Sequence, residues 1–460
     1  MKNRKISVLT GIATASMLAL TSCGVKDSAE EKNVADNSQQ ESVSEAASEE
    51  TDNTDLNNKN SEETEQTLEF VVNNAEAEEF YREAITAFEE SHPGVKVELN
   101  AIVGNTTEYQ QITEIRFAQK EFPDVMAIPV LDVKRLASMG ILEALDERIS
   151  EEDRADYGDG MMATASYEDN IYALPFYTDD IALFYNKDMV EKAGIAMPAS
   201  HEEAWDWETL IENAKRTQEA NGTAYALSIH PDASIFMPLL YSNKATVLNA
   251  DQTAAGINSP EAVETIKWFK SWFDEGLAPL EIYLNGSPDM LFLQGEVPFM
   301  FYFGGAGGTL KATNQESSNP INFSATYMPV QQSAGNKLGG WQVVLFNENE
   351  EINDLAYEFA SFLLNEENMT SICEKMGTLP TRQSAQENAD FGELNEISQI
   401  LMEEIANIPV FCVNDFSLPE YKTYKAILQS GLQKAVIGDM TVEEACADME
   451  EQINKEVFGN

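Results

Sequence analysis

Between residues 68 and 128 the chain alternates strand and helix patterns so closely that few folds can hold it. Leu68-Glu69-Phe70-Val71-Val72 is a strand-like run. Residues 76–91 then place Phe80, Ala84, Ile85 and Phe88 on one face of a helix, and His92-Pro93-Gly94 stops it. Val95-Lys96-Val97-Glu98-Leu99 alternates as a second strand, a helical stretch covers about 107–120, and Val125-Met126-Ala127-Ile128 reads as a short buried strand. Strand, helix, strand, helix, strand at this spacing implies a parallel, doubly wound α/β sheet, whose ligands gather at the carboxyl ends of its strands.

Length and charge narrow the rest. A chain of 460 residues holds two domains or more, and a 43% hydrophobic content supplies a sizeable core. A net charge of -50 excludes nucleic acid as a partner and disfavours electrostatic docking on anionic lipid. Four Cys exclude a disulfide framework. Cys373, Cys412 and Cys446 read as small buried hydrophobes, with pairing among them left open. The 3 His form no His-Glu-x-x-His, and there is no Cys-x-x-Cys and no Gly-x-Ser-x-Gly elbow. We therefore expect no metal, no cofactor and no enzymatic role, although carboxylates are too abundant for a glycosidase pair to be excluded by counting.

The amino end is distinct. Lys2, Arg4 and Lys5 precede an apolar stretch over 6–20 that is too short to span a membrane. Leu20-Thr21-Ser22-Cys23 resembles a bacterial lipobox, which implies a signal peptide over 1–22 and lipidation of Cys23. Residues 24–67 carry 13 acidic and 3 basic residues, with no aromatic and no Pro, so 23–67 is expected to be a lipidated, disordered tether.

From residue 140 onward, short motifs recur in a fixed order. They include Tyr172-Ala173-Leu174-Pro175-Phe176-Tyr177-Thr178-Asp179, Leu183-Phe184-Tyr185-Asn186-Lys187-Asp188, Trp207-Glu208-Thr209-Leu210 and Phe292-Leu293-Gln294-Gly295-Glu296-Val297. Gly339-Gly340-Trp341, the segment 356–363, Gly377-Thr378-Leu379-Pro380-Thr381-Arg382 and the amphipathic 441–457 follow. In this order they resemble the extracellular solute-binding proteins of ABC importers, family 1, in their sugar-binding, maltose-binding-protein-like group. The resemblance covers nearly all of 68–460. It implies an α/β, two-lobed, type II periplasmic-binding-protein-like fold, each lobe a doubly wound sheet. Crossings are expected near 176–179, 328–330 and 378–381. Lobe 1 would hold 68–177 with 329–378, and lobe 2 would hold 178–328 with 379–460.

The resemblance also directs the site. Saccharide binding needs flat rings for C–H faces and a few polar groups for hydroxyls. Of the 5 Trp, Trp205, Trp207, Trp268 and Trp272 read as structural, which leaves Trp341, with Gly340 before it, for the cleft. Asp179 or its neighbour Asp180 would bind a hydroxyl from the first crossing, beside Tyr177. Tyr302 ends a strand before Gly304-Gly305-Ala306-Gly307-Gly308, where glycine permits close backbone approach to a ligand. That loop fits neither nucleotide-binding pattern. Asn73 or Asn74, Tyr109 and Asp132 follow the first three strands. Places where maltodextrin binders carry rings here hold Asn73-Asn74, Ile128-Pro129-Val130 and Gly304-Gly305, which favours a mono- or short oligosaccharide, or a non-sugar polar solute. The implied protein is a monomeric receptor held to the outer face of a bacterial, Gram-positive membrane through Cys23, handing solute to ABC permease subunits. A sensor subunit and a secreted hydrolase are the alternatives.

Overall fold

The computed structural model describes residues 66–73, 78–104, 106–347, 352–416 and 418–459. The signal segment, nearly all of the acidic tether, Cys23 and Asn74 lie outside them. Residues Glu62–Asn460 form one compact unit.

Its strands are β1 (Gln66–Asn73), β2 (Val95–Ile102), β3 (Val125–Pro129), β4 (Ser166–Tyr167), β5 (Asn170–Ile171) and β6 (Leu174–Thr178). They continue as β7 (Ile181–Asn186), β8 (Leu227–Ile229), β9 (Phe299–Phe303), β10 (Phe323–Thr326), β11 (Trp341–Leu345) and β12 (Leu379–Pro380). One sheet runs β12-β6-β11-β3-β1-β2 and a second runs β10-β7-β9-β8, with β4-β5 as a small hairpin.

Helices cover both sheets, so strands are buried on both faces. Leu68, Phe70 and Val72 of β1 enter one core cluster while Val71 enters the opposite one. The Glu78–Ser91 helix presents Tyr81, Ala84, Ile85 and Phe88 to that first core. The apolar face is thus Tyr81-centred, and Phe80 sits only at its margin. The sheets are also mixed rather than parallel. β1 pairs in parallel with β2 and β3, but β11 returns antiparallel between β3 and β6, and β12 is antiparallel to β6.

The first crossing is the Thr178–Ile181 link between β6 and β7. The other two lie further along the chain than the prolines suggested. Met328 belongs to the second core, the Val330 N–H donates to the Trp205 carbonyl, and the N–H groups of Gln332 and Ser333 both donate to the Ser242 carbonyl. Residues 328–333 are therefore held by the second lobe, and the crossing falls over 334–340. β12 pairs with β6, and the Gln383–Asn388 helix packs on the Glu151–Thr164 helix of the first lobe. The third crossing thus follows residue 388, not 378. Proline stiffens a loop in either lobe and does not mark which one holds it.

The crossings lie side by side. Asn336 Nδ2 donates to the Ile181 carbonyl at 2.8 Å, and its Oδ1 accepts from the Ile181 N–H at 3.0 Å. The Gly339 N–H donates to the Asp179 carbonyl at 2.7 Å. Within the first lobe, Thr381 Oγ1 donates to the Pro175 carbonyl at 2.8 Å and ties β12 to β6.

Candidate functional site

Strand polarity brings the carboxyl ends of β3 and β6 and the start of β11 to one edge of the first sheet, with Trp341 opposite Pro129 and Tyr177. The pairing of β11 with β6 shifts register between Trp341 and Gln342. The Trp341 and Tyr177 rings lie 6.4 Å apart with planes within 24°, and both are partly exposed, so they form a ledge. Tyr109 supports it edge-on, 5.4 Å from Trp341.

Tyr109 itself is not on the surface of this ledge. It is 1% exposed, and its hydroxyl donates to the Ala127 carbonyl at 2.6 Å. Asp132 is also committed. It is buried and accepts from Gln110, from Arg135 at 3.2 Å and from Lys422 Nζ at 3.1 Å. Lys422 opens the Tyr421–Ile437 helix of the second lobe, so Asp132 forms an ion pair between lobes. Asn73 ends β1 with a buried Oδ1 that has no hydrogen-bond partner.

Gly340 is needed for close approach. Its φ is 102°, and a Cβ there would stand 2.1 Å from the Tyr177 carbonyl oxygen. The same holds at Gly304, where a Cβ would meet Asp180 Oδ1 at 2.2 Å. The glycine loop after β9 therefore packs against the first crossing itself, instead of lying free for a ligand. Tyr302, just before it, is partly exposed and meets the His230 ring edge-on at 5.1 Å.

Asp179 and Asp180 differ. Asp180 is 1% exposed, and burial, then the charges of Glu404 and Asp179, push its carboxyl well above the usual carboxylate range. Asp179 is partly exposed, beside the ledge. Sequence reasoning missed Lys337, Asn336, His201 and Glu404, which surround this turn from segments remote in the chain. No local pattern distinguishes them.

Among the described residues, no group of three or more His, Cys, Asp or Glu could hold a metal ion, and no helix is long and apolar enough to cross a membrane. Cys373, Cys412 and Cys446 are free and buried. Residues 73–370 match the family described as bacterial extracellular solute-binding protein. The chain belongs to that family. Its members are binding proteins rather than enzymes and face the outside of the cell. This solute-binding protein is 25% identical over 320 residues to the galactooligosaccharide-binding protein of Bacillus subtilis, covering 66% of this chain and 70% of that one. Its fold is similar to that of the sugar-binding protein MalE of Xanthomonas citri, with TM-score 0.73, 17% identity and coverage of 85% and 97% of the two chains. It is also similar to UgpB of Mycobacterium tuberculosis in complex with glycerophosphocholine, with TM-score 0.69, 19% identity and coverage of 84% and 96%.

The hinge side of this solute-binding protein also carries a titrating histidine. His201 Nδ1 lies 3.1 Å from Glu404 Oε1, and that hydrogen bond raises the imidazole above its ordinary value. A raised pKa in the folded state means stability that is fully present below the unfolded value of about 6.5 and is lost as pH rises through the folded value. Melting temperature followed from pH 6 upward should fall across that window, and His201→Gln should flatten the fall. An unchanged slope in the variant would assign the effect elsewhere.

Proposed function

We propose that this protein is a lipid-anchored receptor that captures a mono- or short oligosaccharide between its lobes and delivers it to an ABC permease. The observation that carries this reading is the Trp341–Tyr177 ledge, set beside Asp179 at the carboxyl edge of the first sheet. Planar rings offer a pyranose face large contact area at little entropic cost, and an adjacent carboxylate accepts from its hydroxyls. The similarity to the galactooligosaccharide-binding protein of Bacillus subtilis and to the sugar-binding protein MalE of Xanthomonas citri points the same way. Tyr302 and His230 would close on the solute from the second lobe. Solute that touches both lobes favours the closed form by its differential contacts. Gly340 holds Trp341 in register, and Asn74 would add a contact after β1. The anchor is the lipid on Cys23, on the outer face of a Gram-positive membrane, and the working unit is a monomer with no cofactor.

A thermal-shift panel tests the solute class. Glucose, galactose, maltose, lactose, an amino-acid mixture and glycerophosphocholine are each added to the full mature chain. Ligand at 100 times its Kd stabilises the folded state by about 2.7 kcal/mol. A shift with saccharides and none with the others is expected, and a shift with glycerophosphocholine or amino acids alone would overturn the reading. In cells, Cys23→Ser should release the protein from the membrane fraction into the medium; retention in the membrane would remove the anchor from the proposal.

A further inference from the structure

Three buried carboxylate oxygens at the hinge accept no hydrogen bond: Asp179 Oδ1 and both oxygens of Asp180. Buried acceptors are ordinarily satisfied, so these call for donors. The nearby ammonium does not supply them. Lys337 is 7% exposed, and its Nζ has no hydrogen-bond or ion-pair partner among the described residues. Yet Asp179 Oδ1 and Lys337 Nζ converge on Gly339, lying 1.7 and 3.0 Å from where a Cβ on that glycine would stand. An acceptor lacking a donor thus sits beside a donor lacking an acceptor, next to the Trp341–Tyr177 ledge.

Two neighbouring hydroxyls on a sugar ring match this arrangement, since one can donate while the other accepts. A carboxylate or phosphate does not match it, because it brings acceptors to a place already short of donors. Charge works in the same direction. One ammonium, Lys337, faces three carboxyl groups, Asp179, Asp180 and Glu404, and both Glu404 and Asp179 act on Asp180. The Lys337 ammonium is outnumbered by the carboxyl groups around it, so an entering anion gains less from it than from an isolated cation. His201 faces Glu404 from the far side and already shares a hydrogen bond with it.

We propose that Asp179 and Lys337 together bind a neutral vicinal diol at the hinge end of the cleft, and that the surrounding carboxyl groups exclude anionic saccharides from it. This rests on the saccharide reading and narrows it to uncharged sugars. Lys337 becomes a specificity-determining residue, and Gly339 the position that lets the pair converge.

Calorimetry on the full mature chain tests it, with glucose, galactose, maltose and lactose set against glucuronate and galacturonate. At least one neutral sugar should bind, and the uronate of the same configuration should bind 100-fold more weakly or worse. Lys337→Gln should weaken the neutral sugar about 10-fold or more. Asp179→Asn keeps the shape and removes the charge, so it should weaken the neutral sugar and narrow the neutral-to-uronate ratio, which a purely structural role would not do. Uronates that bind as tightly as neutral sugars, or a Lys337→Gln protein with unchanged affinity, would overturn the proposal while leaving saccharide binding intact. Binding of no sugar at all would overturn both. Where a variant fails to fold by its melting curve, the ratio measured on the unaltered protein decides.

Discussion

Trp341→Ala should raise the Kd for a bound saccharide about 30-fold or more. Truncating a central aromatic anchor typically costs 2 kcal/mol or more, and each 1.4 kcal/mol is about tenfold. Trp341 fits that description because its ring is held from two sides, by Tyr109 at 5.4 Å and Tyr177 at 6.4 Å, while it stays partly exposed. A ring held in place gives up little freedom when a sugar lands on it. Trp341→Phe keeps a smaller face and should recover most of the loss. The partial exposure also limits the stability cost, which should fall below the 3–5 kcal/mol typical of truncating a fully buried aromatic. Calorimetry and a melting curve on the same samples separate the two effects, and unchanged affinity in a folded Trp341→Ala protein would remove the ledge from the site.

Gly340→Ala should act on the fold as well as on binding. At φ 102° an L side chain is strained by about 1–3 kcal/mol. The added Cβ would also meet the Tyr177 carbonyl oxygen at 2.1 Å and Thr178 Cα at 2.6 Å, both backbone atoms with no rotamer to yield. Overpacking of that kind costs about 1–3 kcal/mol more. The Gly340 carbonyl accepts from the Val130 N–H at 3.0 Å, so any shift is passed to the end of β3 and to the register of Trp341. Denaturant unfolding should show a loss of about 2–6 kcal/mol. A loss under 1 kcal/mol would mean that the crossing relaxes freely.

What was legible in the chain was local. The alternation over 68–128 follows from side-chain periodicity within single elements, and β1, β2 and β3 stand where that periodicity puts them. Trp341 could be singled out because two glycines precede a lone tryptophan, and its ring lies beside that of Tyr177. Contacts between distant segments were not legible. Tyr109 reads from sequence as an aromatic at a helix start, and only its hydrogen bond to Ala127 shows that it faces inward. Asp132 looks like a loop carboxylate until Lys422, on a helix of the other lobe, is seen to reach it. Lys337 carries no motif, since its place beside Asp179 is created by the way the second crossing lies against the first. The crossings were misplaced for the same reason: which sheet a segment joins depends on a partner strand far away in sequence.

That interleaving has a consequence for a chain delivered to its surroundings end first. β11, made of residues 341–345, fills the middle of a sheet whose other core strands, β1, β3 and β6, are finished by residue 178. The second lobe waits in turn for the helices Tyr421–Ile437 and Val442–Phe458, which supply Tyr424, Leu428, Met449 and Ile453 to its core. Each lobe is therefore left with a gap that only later-arriving chain can fill, and pairings over such sequence distances are slow to form. The first lobe has its last strand and helix once residue 388 has emerged, whereas the second waits for residue 458.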